Sequence, residues 1–398
     1  MKQAVKKKSA RVTRPSISDI KNAIGMTQKT PEDLSMSCAD KELSFIPMPE
    51  AFVEATKLPG IPQGYGTIVC GWSNTGKSTL KNCLIASCIN NGILPVIFET
   101  ESNFDWKYAI DCGVKATPVY GDVDVEKVDE ETGEVFVTTE NKIVDYEGDF
   151  LYFDTKILCE MYGDMDYSAG KRGTKRRKEA VIEDIAYAIN DLLDKQDEGI
   201  IMQPMCFIWD SVGSLISYRS LTSKVSNNMW DAGALSVSFN NLLNSRIPMS
   251  RKIDSPYTNT FFCVNKIWND SMNSMGGAAS VELKGGRSLF FSCRLILHLG
   301  GVAKASVKKL TAVAKGQTYS YGIETKIKVT KNQLPNPFNI TYEDSIACVH
   351  NGLWSVDRLD AYKKTYAKEL LEKLEQASDG SLNASVEDMS FVEEDAEE

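Results

Sequence analysis

The octet Gly71-Trp-Ser-Asn-Thr-Gly76-Lys77-Ser78 constrains this chain more than any other stretch, because it fits G-x-x-x-x-G-K-[ST] in the setting that the pattern requires. Ahead of it, the turn-rich segment Leu58 to Gly66 feeds the apolar run Thr67 to Cys70, a buried strand by length and composition. Behind it, the spacing predicts a helix from Lys77 to about Asn90, stopped by Asn91-Gly92. A strand that ends in a glycine loop and opens a helix suits a phosphate. The glycines let backbone N–H groups converge, Lys77 reaches terminal phosphates, and Ser78 offers a hydroxyl to magnesium. A second strand at Leu94 to Phe98 and a helix near Phe104 to Cys112 continue the alternation. The expected fold is therefore α/β, a mainly parallel twisted sheet flanked by helices.

Phosphate chemistry on such a loop needs two further groups. A magnesium ion calls for a carboxylate at the end of an apolar strand, and Cys206-Phe-Ile-Trp-Asp210-Ser211 supplies Asp210, which taken alone would equally suit a helix cap. Hydrolysis calls for a group that orients or deprotonates water. Glu101, at the end of the strand beside the loop strand, is favoured over Glu99, with capping of the next helix as its other reading.

Net charge is −9, but its distribution matters more. Residues 122–149 carry −9 and residues 387–398 carry −7, which leaves a body of +7 that admits a polyanionic partner. Apolar runs are too short to cross a bilayer, and the basic N-terminus lacks a signal-peptide core, so cytoplasmic residence is expected. The ten cysteines show no C-x-x-C spacing and read as buried free thiols; with only His298 and His350, a histidine-based site is hard to build.

Residues 1–50 read as an arm that docks on a neighbouring protomer, with a short helix at Ser18 to Gly25 and Ser44-Phe45-Ile46 as apolar anchor. Residues 51–342 form the core, interrupted at about 122–178 by an acidic hairpin and the basic loop Lys171 to Lys178. A helix is expected from about Glu179 to Lys195 and another near Met229 to Leu243. Further strands are expected at Met205 to Trp209, Thr260 to Val264 and Phe291 to Leu299. Polar stretches at Ser217 to Asn228 and Trp268 to Arg287 fall at strand ends, where parallel sheets bind ligands. A C-terminal helical segment, 343–386, and an acidic disordered tail, 387–398, complete the chain; the tail is expected to imitate nucleic acid.

Taken in order, several blocks resemble the RecA family, in particular the RecA-like recombinases of large phages. They are Gly71 to Thr79, Phe98-Glu-Thr-Glu101-Ser-Asn-Phe-Asp105-Trp-Lys-Tyr108, Ile208-Trp-Asp210-Ser211, Val264-Asn265-Lys266, Gly285-Gly286-Arg287, and Glu324 through Lys331 to Phe338. The resemblance covers roughly residues 55–340 without the insertion. It implies a RecA-like P-loop ATPase core that takes ATP and Mg²⁺ and hydrolyses ATP in a DNA-dependent way. Gly71, Ser73, Asn74, Thr75, Gly76, Lys77, Ser78 and Thr79 would hold the nucleotide, Ser78 and Asp210 the metal, and Glu101 would activate water. Asp105 and Tyr108 would contact adenine, and Lys331 would reach the nucleotide of a neighbouring subunit.

By the same resemblance, the second DNA-binding loop would comprise Trp268, Met275, Gly276, Gly277, Lys284, Gly285, Gly286 and Arg287, whose flexible backbone suits insertion between stretched bases. The chain departs from the family in three places. Lys266 replaces a glutamine that senses the terminal phosphate, Gln333 replaces a second cross-subunit lysine, and the first DNA loop, Tyr218 to Trp230, has no residue-by-residue match. The implied activity is homologous pairing and strand exchange by a filament on single-stranded DNA, acting on homologous duplex with single-strand-binding and loader proteins as companions. A hexameric helicase motor and a DNA-coating filament with little turnover share the same ATPase core and are the alternatives.

Overall fold

The computed structural model describes residues 39–128, 133, 135–224, 228–269, 281–283, 287–301, 306–377 and 384–395. Its principal strands are β1 (Gly66–Gly71), β2 (Leu94–Glu99), β3 (Thr117–Val128), β4 (Val135–Glu147), β5 (Leu151–Asp154), β6 (Met205–Val212) and β7 (Thr260–Asn269). There follow β8 (Val281–Leu283), β9 (Leu295–Leu299), β10 (Val307–Ala314), β11 (Gln317–Asn332), β12 (Glu343–Val349), β13 (Gly352–Trp354) and β14 (Ser390–Asp395). The helices used below are α1 (Lys77–Asn90), α2 (Trp106–Asp111), α3 (Ile182–Asp197), α4 (Asn228–Asn241) and α5 (Leu359–Ala377).

All of these strands except β3 and β4 join one 12-stranded sheet in the order β13-β12-β11-β9-β1-β7-β6-β2-β5, with β8 on β7, β10 on β11 and β14 on β10. From β9 to β5 every neighbouring pair is parallel; from β9 to β13 every pair is antiparallel. Strands β1 and β6 are buried along their whole length, as parallel strands covered on both faces must be. Alternation sends Ile208 toward α1 with Leu84 and Ile97, and sends Phe207 and Trp209 toward α3 and α4 with Ile189 and Phe239. Each such side chain contributes about 1.5–3 kcal/mol by leaving water. A third apolar cluster joins β10, β11 and α5 through Leu310, Tyr321, Tyr362 and Leu374.

Several expectations need correction. The strand expected from Phe291 begins at Leu295, because Leu289 and Cys293 are buried four residues apart while Phe291 is exposed, a helical spacing that forms the turn-and-a-half Arg287–Ser292. The helix expected from Glu179 starts at Ile182, where the Asp184 carboxylate accepts the Val181 N–H at 2.8 Å. The insertion is the β3–β4 hairpin alone, since β5 returns the chain to the sheet edge beside β2. Within the basic loop, Arg177 is drawn inward by Asp184 at 2.6 Å.

The ends of the chain differ most from expectation. Residues 1–38, with the helix expected at Ser18 to Gly25, lie outside the described residues. Ile46 is fully buried in this chain's own core on a short strand, Phe45–Pro47, paired with Gly60–Pro62, so it is unavailable as an intermolecular anchor. Residues 343–354 add β12 and β13 to the sheet ahead of the C-terminal helix. The described part of the acidic tail is also structured: residues 390–395 form β14, an edge strand on β10 whose Phe391 meets Tyr321 edge-on and whose Glu393 lies 3.4 Å from Lys363. Among the described residues no helix is long and apolar enough to cross a membrane. The nine described cysteines are free thiols, eight of them buried.

Candidate functional site

The glycine loop lies at the carboxyl end of β1. Its first glycine abuts the neighbouring strand: a Cβ on Gly71 would stand 2.3 Å from the Leu299 carbonyl oxygen. Gly76 has a φ of 88°, and a Cβ there would stand 2.4 Å from the Cys348 sulfur, so only glycine fits this turn into α1. Thr75 donates to the Trp72 carbonyl at 2.9 Å, and the Lys77 ammonium folds back onto that carbonyl, with the Thr75 hydroxyl at 3.4 Å. Ser73, Asn74 and Ser78 are exposed. Burial pushes Lys77 down to about 8, although Asp210 opposes the shift.

The loop from Asn74 to Thr79 forms one wall of a cavity of about 690 Å³. Asp105 and Tyr108 line a second side; Tyr319 and Gly322 of β11, with Lys373 and Gln376 of α5, line the third. Asp105 caps α2 by accepting the Tyr108 N–H at 2.9 Å. The Tyr108 hydroxyl is 2.6 Å from Thr79 Oγ1 and donates to the Val349 carbonyl at 3.1 Å, and burial raises its pKa above the ordinary phenol range. Tyr108 is thus tied to α1 and β12 while its ring remains in the cavity wall.

Beneath the loop is an ion cluster the sequence reading did not single out. Asp210, two residues before the end of β6, is in register with Glu99 at the end of β2, and Lys81, one turn beyond Lys77 on α1, reaches both. Its Nζ is 2.6 Å from Asp210 Oδ2 and 3.4 Å from Glu99 Oε2, and it sits 4.7 Å from the centroid of the Phe104 ring. All three charged residues are buried. Burial raises the Glu99 pKa despite Lys81.

At the mouth of the site the expected water-activating Glu101 meets one of the three departures, Lys266. Lys266, in register with Gly71, places its Nζ 2.8 Å from Glu101 Oε1. The Ser211 hydroxyl donates to the same oxygen, and Asn103 Nδ2 donates to Oε2 at 3.3 Å. Burial pushes the Glu101 carboxyl up, but the Lys266 and Ser211 hydrogen bonds outweigh it and hold the group below its usual range.

Other sequence candidates fall elsewhere. Lys331 does not join this chain's cavity: it stands in register with Ile296, several residues before the loop end of the sheet, and donates to the Phe290 and Phe291 carbonyls at 2.5 and 3.2 Å. Trp268 lies on β7 opposite Glu282 of β8, so the ends of the second candidate DNA loop pair as an antiparallel ribbon. Arg287 opens the helix Arg287–Ser292. Met275, Gly276, Gly277, Lys284, Gly285 and Gly286 lie outside the described residues.

Magnesium fits this donor set poorly. Ser78 is exposed beside the cavity, but Asp210, the carboxylate expected to face the metal, is already held by Lys81. The sequence carries no local signal for the Lys81 cluster, because the partners of Lys81 lie 18 and 129 residues away. No protein-family model matches the chain, and a search of curated proteins gives no match either.

Proposed function

We propose that this chain is an ATP-dependent DNA recombinase with a RecA-like P-loop core, which polymerises on single-stranded DNA and exchanges it with homologous duplex. The observation that carries this reading is a juxtaposition. The Gly71–Ser78 loop, whose residues 74–78 line a cavity of about 690 Å³, and the Glu101–Lys266 pair both lie at the carboxyl ends of parallel strands of the same sheet, with Lys266 in register with Gly71. Loop N–H groups and Lys77 receive the phosphates, while the Tyr108 ring and Asp105 face the base. Lys266 is drawn from Glu101 to the terminal phosphate when nucleotide enters. Glu101 then accepts a proton from water as its oxygen attacks the terminal phosphorus and ADP leaves. Lys331 is assigned to the nucleotide of an adjoining protomer, which would make hydrolysis a property of the filament.

The resting Lys266–Glu101 pair also favours a second reading, a DNA-coating filament whose ATP turnover is slow. Electron micrographs of the chain with single-stranded DNA and a non-hydrolysable ATP analogue, alongside a strand-exchange assay with ATP, test the proposal. Nucleotide-dependent filaments with exchange support it; filaments without exchange leave the coating reading; particles without filaments reject both.

A further inference from the structure

The conflict between magnesium and Lys81 identifies a further positioning residue. A lysine ammonium has three donors, and each meets a partner here: Asp210 Oδ2 at 2.6 Å, Glu99 Oε2 at 3.4 Å, and the face of the Phe104 ring at 4.7 Å. Glu99 Oε1 in turn accepts the Glu101 N–H at 2.9 Å, which joins this buried cluster to the mouth of the site. The Lys81 side chain is only 3% exposed, so its charge is sustained by these partners and not by water.

We propose that Lys81 is a resident cation for Asp210 and Glu99, an ammonium built into the chain at the carboxylates where a phosphate loop would otherwise anchor a divalent metal. The proposal rests on the nucleotide reading of the loop and adds how that site treats metal. A protein prefers a metal–nucleotide complex over the free nucleotide only as far as it contacts the metal, and by linkage that preference equals the factor by which the protein tightens metal on the nucleotide. With Asp210 held by Lys81, the protein's contact with a metal is reduced to the Ser78 hydroxyl, so the preference is small. The same ammonium balances two carboxylates that would repel each other at register positions of the adjacent strands β2 and β6.

The test compares binding of a fluorescent ATP analogue by the full chain, read as anisotropy, in excess Mg²⁺ and in EDTA. The affinities should agree within about tenfold. A larger loss in EDTA would overturn the proposal. A second arm needs no nucleotide: Mn²⁺ binding, read by electron paramagnetic resonance, in the wild type and in Lys81→Met. Removing the ammonium uncovers paired carboxylates, so Lys81→Met should bind Mn²⁺ at least about tenfold more tightly than the wild type. Equal Mn²⁺ affinity in a Lys81→Met chain with native circular dichroism would overturn the proposal. If Lys81→Met does not fold, the EDTA comparison on the wild type decides. If the analogue binds in neither buffer, the nucleotide reading fails and the Mn²⁺ arm still decides the role of Lys81.

Discussion

Two lysine–carboxylate pairs, built from the same groups at nearly the same distance, occupy the floor and the mouth of one site. On the floor, Lys81 and Asp210 are 2.6 Å apart with side chains 3% and 9% exposed; at the mouth, Lys266 and Glu101 are 2.8 Å apart, and Lys266 is 48% exposed. Burial makes the difference. The floor pair can dissociate only by leaving a charge inside the protein, so it behaves as part of the scaffold. The mouth pair can exchange its partner for water or phosphate at little cost, so it can take part in a reaction cycle.

The largest expected contrast is in stability. Lys81→Met strands two buried carboxylates and should cost about 3–5 kcal/mol in urea unfolding. Lys266→Met, which leaves Glu101 near solvent with Ser211 and Asn103, should cost less than about 1 kcal/mol. Similar costs for the two variants would break the distinction between floor and mouth.

A pH effect of intermediate size sharpens the role of the loop lysine. Burial lowers Lys77 to about 8, and a phosphate favours its charged form, so nucleotide affinity should fall as pH rises through about 8. Calorimetry in buffers of different ionisation enthalpy should then show proton uptake on binding at and above that pH. The same depression makes this lysine's contribution to stability rise from about pH 8 up to its unfolded value of 10.5, because the unfolded chain binds the extra proton there. Proton release on nucleotide binding would contradict the assignment.

The smallest effect separates the two glutamates. Glu99 should titrate above the ordinary value of 4.5 and Glu101 below it, read from their carboxyl carbon resonances. Glu101 accordingly adds stability above pH 4.5 that is lost as pH falls through its folded pKa. Glu99 has the opposite sign: its contribution is present below pH 4.5 and lost as pH rises through its folded pKa. Lys266→Gln should raise Glu101 and leave Glu99 in place, whereas equal movement of both would mean that floor and mouth form one electrostatic unit.

What the sequence disclosed follows the reach of its signals. The loop was legible because Gly71, Gly76 and Lys77 act within a few residues of one another, and β1, β2, β6 and β7 were legible because parallel strands are continuous apolar runs. The floor cluster was not, since Lys81 finds its partners 18 and 129 residues away and looks in sequence like an ordinary helix lysine. Nor was the terminal strand, whose acidic residues concealed Phe391 and Val392. Those two acquire meaning only beside the β10 edge and Tyr321. Phe290-Phe291 misled in the opposite sense, because a pair of aromatics suggests a strand while burial of Leu289 and Cys293 selects a helix.

ATP hydrolysis by Glu101→Gln in the presence of single-stranded DNA decides whether this carboxylate is the proposed base, because the substitution keeps the shape and removes the charge. Single-stranded DNA should stimulate hydrolysis by the wild type, whereas Glu101→Gln should still bind ATP and form filaments but lose turnover by about 10²–10⁴-fold. Hydrolysis by Glu101→Gln at the wild-type rate would reject Glu101 as the base.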